Sequence, residues 1–215
     1  AIKKLDHAYL NKLPEFKKNQ LLLEPFGRNT APCIALAAQY IQDLDPEGVM
    51  VVLPADHIIH DTRSFSKVIL SAVESAVRDN VLVTIGIRPT GPETGYGYIH
   101  FDQHSHGTSR VRFSKVIKFI EKPPLKKARK YIADGHYLWN SGMFVWKARV
   151  LLDEIRKYLP DHGRMSDELL RAKNNRDFGR ILKKRYPRLP KTSVDYGVLE
   201  KSSKVVSVRT QCGWD

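Results

Sequence analysis

Val49-Met50-Val51-Val52-Leu53-Pro54-Ala55-Asp56-His57 is an apolar run stopped by a proline and followed at once by a carboxylate. A strand that is apolar on both faces marks a sheet covered on both sides, and Pro54, which cannot donate to a ladder, ends it. Upstream, the turn Asp45-Pro46-Glu47-Gly48 closes a helical pattern that opens at Thr30, with Pro32 in its first turn and Ile34, Ala38 and Ile41 at helical spacing. Downstream, Phe65, Val68, Ile69, Ala72, Val73, Ala76 and Val77 trace one face of a second helix, and residues 81–87 are a second continuous apolar strand. Buried strands alternating with helices predict an α/β fold with a mostly parallel sheet and right-handed crossovers.

Residues 21–23, all leucine, read as a further short strand before Glu24-Pro25. The second half has a different texture. A Gly-rich segment over 91–97 leads into alternating residues over 111–120, which predict antiparallel or edge strands. Helices are expected over 125–134, closed by Gly135, over 148–158 before Pro160, and across the polar, basic stretch 166–186. Ser193 can cap a short helix over 194–201, and residues 205–208 return to the sheet.

With 215 residues, 42% hydrophobic and 27% charged, the chain has the composition of one substantial globular domain rather than a disordered segment. No apolar run approaches the roughly 20 residues that cross a bilayer, and the lysines near Ala1 are not followed by the apolar stretch of a secretory signal. The expected compartment is therefore the cytoplasm, without a membrane partner. Cys33 and Cys212 are too few for a disulfide scaffold, have no zinc spacing, and are expected to be reduced and not catalytic. A net charge of +13 raises nucleic acid as a partner. The basic residues are spread along the chain, with short clusters at Lys126-Lys127 and Lys183-Lys184-Arg185, and no recognised binding motif accompanies them, which argues against that partner.

In open α/β sheets ligands sit beyond the carboxyl ends of the strands. Asp56 stands there and could anchor Mg²⁺, which binds mainly substrate oxygens and water; an isolated Asp in that position also serves as a turn or cap. His57 reads as structural. Gly27-Arg28-Asn29-Thr30 places a guanidinium and a capping pair before a helix N-terminus, where free donors and the dipole favour anions; an ordinary capped helix would read the same. Thr94-Gly95-Tyr96-Gly97-Tyr98 offers backbone for close approach, or a hairpin. In Phe119-Ile120-Glu121-Lys122-Pro123 the carboxylate and the ammonium can serve one ligand only at a strand end or bulge, since adjacent strand residues face opposite ways. Asn140 is the ligand candidate at the head of an apolar strand.

Together these motifs, with Ser193-Val194-Asp195-Tyr196-Gly197-Val198-Leu199-Glu200-Lys201, resemble in order and wording the mannose-1-phosphate guanylyltransferase (GDP-mannose pyrophosphorylase) family of sugar-phosphate nucleotidylyltransferases. The resemblance implies a Rossmann-like, mostly parallel mixed sheet flanked by helices, of the nucleotide-diphospho-sugar transferase type. It implies guanylyl transfer from GTP to mannose 1-phosphate, giving GDP-mannose and pyrophosphate with Mg²⁺, in which Asp56 holds the metal and Asp56 and Lys122 are the catalytic groups. Arg28, Asn29, Thr30, Pro54 and Ala55 would lie on the nucleotide side, and Gly97, Glu121, Asn140 and Asp195 would line the mannose pocket, with Lys122 on the sugar phosphate. A homo-oligomer is compatible with this. Against the family pattern, the Gly-rich triphosphate loop, the strand before it and a second metal aspartate just past Asp215 are absent. Residues 1–215 therefore read as a single, N-terminally incomplete catalytic domain with little activity alone. A non-catalytic sugar-nucleotide-binding or regulatory subunit is the alternative.

Overall fold

The computed structural model describes residues 21–107, 111–172 and 175–214. Helix α1, Thr30–Leu44, begins where Asn29, at φ 70°, turns its side chain to accept from the Thr30 amide at 2.8 Å, and it ends at the Asp45-Pro46 turn. Strand β1, Val49–Val52, follows, then α2, Thr62–Asp79, capped by Asp61, and β2, Leu82–Ile87, whose residues are all buried. A long hairpin, β3 Gly97–Gly107 and β4 Arg112–Ile120, leads through α3, Leu125–Asp134, to β5, Tyr137–Lys147. Helices α4, Ala148–Tyr158, α5, Pro160–Leu170, and α6, Asn175–Arg185, precede a π-helical turn, Asp195–Leu199, and β6, Val205–Thr210.

The strand order is β1-β5-β2-β6-β4-β3, and β3 also pairs with β5, so five of the strands close a ring. Strands β1, β2 and β6 run the same way, as the βαβ reading requires. Strand β5 enters antiparallel between β1 and β2, however, so the parallel share is smaller than expected: β2 with β6 is the parallel ladder among the described residues. Alternation in each strand supplies two cores. One face packs Phe144, Trp146 and Leu82 against Ile34, Ala35 and Ala38 of α1 and Leu151 and Ile155 of α4. The other packs Val83, Ile85 and Val145 against Val68, Ala72 and Ala76 of α2 and Ala128 of α3. A smaller cluster of Leu36, Met165, Leu169, Tyr186 and Leu189 seats α5 on the back of α1.

Two expected elements are corrected. Residues 21–23 form no strand; Leu22 packs against the Leu36 cluster instead. The helix expected over 166–186 is two helices: the first begins already at Pro160, since a first-turn proline loses no intrahelical bond, and ends at Leu170, and the second starts at Asn175. Residues 173–174, between α5 and α6, lie outside the described residues, as do 1–20 and Asp215.

Gly86 marks the point where β2 and β5 shift register. A methyl group there would stand 2.4 Å from Leu138 Cδ1 and 2.9 Å from Leu138 Cβ, inside the ring of strands. Gly86→Ala is therefore expected to destabilise by about 1–3 kcal/mol through overpacking, lowering the melting temperature by roughly 2–4 °C per kcal/mol. In a double-mutant cycle with Leu138→Ala, the glycine substitution should cost clearly less; equal costs in both backgrounds would remove Leu138 as the cause.

Candidate functional site

The loop after β1 carries Pro54, Ala55, Asp56 and His57 to the carboxyl end of the sheet. His57 Nδ1 accepts from Trp214 Nε1 at 3.1 Å, which leaves its proton on Nε2 and makes the ring a structural tie. The amides of His60 and Asp61 donate to the carbonyls of Gly213 and Cys212 at 3.0 and 2.9 Å. Trp214 meets Tyr96 edge-on at 5.3 Å, and Tyr96 meets Trp139 at 5.1 Å. Four segments are thereby fixed to one another, with Asp56 exposed beside them.

A second group assembles at the head of β5. Gly97 lies opposite Asn140 in the β3–β5 ladder, and a methyl group on it would come within 2.9 Å of Glu121 Oε2 and 3.5 Å of Asn140 Cβ. The Glu121 carboxylate and the Asn140 side chain therefore stand directly beside the bare Cα of Gly97. Asn140 Nδ2 donates to Asp195 Oδ1 at 2.7 Å, and Asn140 Oδ1 accepts from the Gly142 amide at 3.2 Å, so both ends of the carboxamide are held. Gly142 takes φ 69°, and two residues on Phe144 pairs with Val52 of β1, which links this group to the Asp56 loop. Burial raises the Asp195 carboxyl above its ordinary range, and the bond from Asn140 opposes that shift. Strand β4 stops at Ile120, and Lys122 sits at φ 41°, so the strand end needed for Glu121 and Lys122 to face one ligand is present. Their charged groups lie 3.9 Å apart.

Two members of this group were not legible in the sequence. The π-helical turn brings the Glu200 amide onto the Asp195 carbonyl at 2.9 Å, placing both residues on one side. Burial and then the charges of Asp195 and Glu121 raise the Glu200 carboxyl. Tyr196 is raised too, by burial first and then by Glu121, Glu200 and Asp195. A five-residue hydrogen-bonded turn has no sequence signature, and an α-helical reading puts residues five apart on different faces.

The start of α1 is stitched to the same turn. Thr30 Oγ1 accepts from the Val194 amide at 3.0 Å, and the Ala31 amide donates to the Thr192 carbonyl at 3.1 Å. With the Thr30 amide taken by Asn29 and Pro32 lacking a donor, much of the expected anion cradle is occupied. Arg28 reaches this end of the helix but donates to the Pro187 carbonyl and lies 5.9 Å from the Phe26 ring.

Residues 3–183 match the model of the nucleotidyl transferase family. The chain belongs to that family. It is 41% identical over 208 residues to the mannose-1-phosphate guanylyltransferase of Escherichia coli K12, covering 95% of this chain and 42% of that protein. The chain thus spans less than half the length of the curated relatives it matches. The solved mannose-1-phosphate geranyltransferase of Thermus thermophilus superposes with a TM-score of 0.79 at 35% identity, over 91% of this chain and 54% of that one. The mannose-6-phosphate isomerase of Helicobacter pylori does so with a TM-score of 0.79 at 30% identity, over 99% and 81%. The fold is that of the nucleotide-diphospho-sugar transferases.

Members of this nucleotidyl transferase family generally work with a divalent metal. Among the described residues no three His, Cys, Asp or Glu side chains are grouped to hold an ion. A single exposed carboxylate at Asp56 nonetheless suits a metal held mostly by substrate phosphates and water. No helix of the described residues is long and apolar enough to cross a membrane.

Proposed function

We propose that the protein transfers a guanylyl group from GTP to mannose 1-phosphate. A phosphate oxygen of the sugar phosphate attacks the α-phosphorus, the bond to the β-phosphate oxygen breaks, and pyrophosphate leaves. The observation that carries this reading is the convergence of Gly97, Glu121, Asn140 and Asp195 on one gap, joined to the α1 start and the Asp56 loop. Similarity to guanylyltransferases supplies the choice of base and sugar.

The nucleophile is already an anion, so the protein needs no general base, and positioning and charge do the work. Gly97 leaves room for the sugar, and Glu121, Asn140 and Asp195 receive and orient its hydroxyls, the fixed carboxamide acting as a ruler between two carboxylates. The Lys122 ammonium holds the sugar phosphate. Arg28, Asn29, Thr30, Pro54 and Ala55 border the nucleotide, and Asp56 would hold Mg²⁺. When bound, that ion supplies positive charge to the phosphate oxygens. The reaction belongs to the cytoplasm, where GTP is available.

The test is pyrophosphate release by the full-length protein over a panel of nucleoside triphosphates and hexose 1-phosphates. GTP with mannose 1-phosphate should give the highest kcat/KM; preference for another pair would replace the assignment. Within that panel Glu121 and Lys122 are expected to differ in kind. Glu121→Gln should lower discrimination between mannose and glucose 1-phosphates, because a hydroxyl donates more strongly to an ionised acceptor. Lys122→Ala should weaken every hexose 1-phosphate alike, by roughly 1.5–3 kcal/mol for a lost charge-assisted bond. Unaltered sugar-phosphate kinetics in both variants would make the pair a solvated strand end.

A further inference from the structure

Arg88 directly follows β2, Arg209 lies in β6 and Arg112 opens β4, and β6 runs between the other two strands. Gly86 pairs with Arg209 and Phe113 with Val208, so the three arginines stand at neighbouring positions on adjacent strands. Arg209 lines two cavities. One, of about 440 Å³, is shared with Lys67, Arg88, Thr210 and Gln211; the other, of about 110 Å³, is shared with Arg112. No carboxylate lines either cavity among the described residues, and none of the residues proposed for guanylyl transfer does so.

Elsewhere in the molecule, arginines such as Arg149, Arg156 and Arg185 pair with carboxylates. Here Arg209 has the like charges of Arg88 and Arg112 near it. Burial and then the positive charges of Arg88 and Arg112 push the Arg209 guanidinium below its ordinary value. The Phe101 ring, 5.2 Å from its guanidinium carbon, holds the group in place. Lys67 acts on Asp61, but that carboxylate is engaged by the Ser64 amide at 2.9 Å as the α2 cap. Like charges gathered without counter-charge are unfavourable until an anion enters, and the planar guanidinium fork matches phosphate oxygens two at a time.

We propose that Lys67, Arg88 and Arg209, which line the larger cavity together, form a second anion site, separate from the Asn140–Asp195 group, that takes the phosphoryl or pyrophosphoryl moiety of a small ligand. The larger cavity lies within the range of small-ligand sites, and its polar wall of Thr210 and Gln211 can complete the phosphate's hydrogen bonds. The proposal does not depend on the guanylyl-transfer reading.

The test is calorimetric titration of the full-length protein, with metal chelated so that no turnover occurs, using inorganic phosphate, pyrophosphate and GDP-mannose. Arg88→Gln and Arg209→Gln should each weaken pyrophosphate binding about tenfold, the loss of roughly one charge-assisted bond, while GDP-mannose affinity stays unchanged. Equal binding of phosphate and pyrophosphate would define a single phosphoryl subsite; stronger binding of pyrophosphate would define an extended one. Both support the site. If Arg209→Gln fails to fold, exposed Arg88 and Lys67 carry the same test. Unchanged anion affinity in folded variants overturns the proposal. So does a single-stranded oligonucleotide that outcompetes pyrophosphate and loses affinity in the same variants, since that would mark a nucleic-acid surface.

Discussion

Asp56→Asn is expected to lower metal-dependent pyrophosphate release in the full-length protein by on the order of 10²–10³-fold, the range seen when one preorganised charge-stabilising contact is lost. Its folding should stay within about 0.5 kcal/mol of the parent, as for most exposed substitutions. The separation follows from how the loop is anchored. Its attachments are the His57–Trp214 bond, the His60 and Asp61 amides and the β1–β5 ladder just before it, none of which uses the Asp56 carboxylate. The amide keeps the shape of the acid and loses the charge that would hold a cation against phosphate oxygens. A shifted metal-concentration dependence is the specific mark of this role. His57→Ala provides the contrast, because it should lower the melting temperature with metal affinity nearly intact. Unchanged metal dependence in Asp56→Asn, with activity retained, would make Asp56 an ordinary turn residue.

A different effect is expected from Asn140→Asp. Asp195 now receives a hydrogen bond from the Asn140 carboxamide at 2.7 Å, in surroundings whose burial already raises its carboxyl. The substitution removes the donor and sets a second carboxylate against the first, so one of the two must hold a proton or the pair must separate. The lost bond to a charged group alone is worth about 1.5–3 kcal/mol, and sugar-phosphate turnover should fall with it.

The sign of the pH effect is fixed by the direction of the shift. A carboxyl whose native value is raised binds its proton more tightly when folded. Its penalty is absent in acid and grows as pH climbs from the unfolded value, about 3.9, through the raised native value. Melting temperatures should therefore diverge as pH rises above about 3.9, with Asn140→Asp nearest the parent in acid and falling further behind until the raised native value is passed. Parallel curves would show that the two carboxyl groups do not share a proton.

What could be read from the sequence was whatever depends on neighbours along the chain. The start of α1 at Thr30, the closure of α3 by Gly135, the span of α4 and the buried run of β2 follow from caps, breakers and unbroken apolar stretches, and all are present. Strand β5 was recognisable as a strand, but its place was not. Nothing local tells an 11-residue segment to pair with β1 at one end and β3 at the other. The same holds at the site. Glu121, Asn140, Asp195 and Gly97 could each be singled out by residue type and setting, whereas Glu200 and Tyr196 arrive through a π-helical turn that no pattern announces. Arg28 was legible as a basic residue before a helix, but not as one committed to the Pro187 carbonyl, because that partner lies far along the chain.

The antiparallel entry of β5 beside β1 also sets an order of events during synthesis. Val49 pairs with Lys147, and Val52 with Phe144, so the strand that presents Asp56 meets this partner only after the hairpin and α3 have been made. Ladders between distant segments form slowly because the closure entropy must be met before the contacts repay it. On the ribosome, where chains emerge at about 5–20 residues per second, the Asp56 loop therefore waits for seconds before β5 can hold it. A pause or a destabilising change anywhere between β2 and β5 lengthens that wait. Soluble yield in a cell should then respond to substitutions in β5 more strongly than the equilibrium stability of the purified protein does.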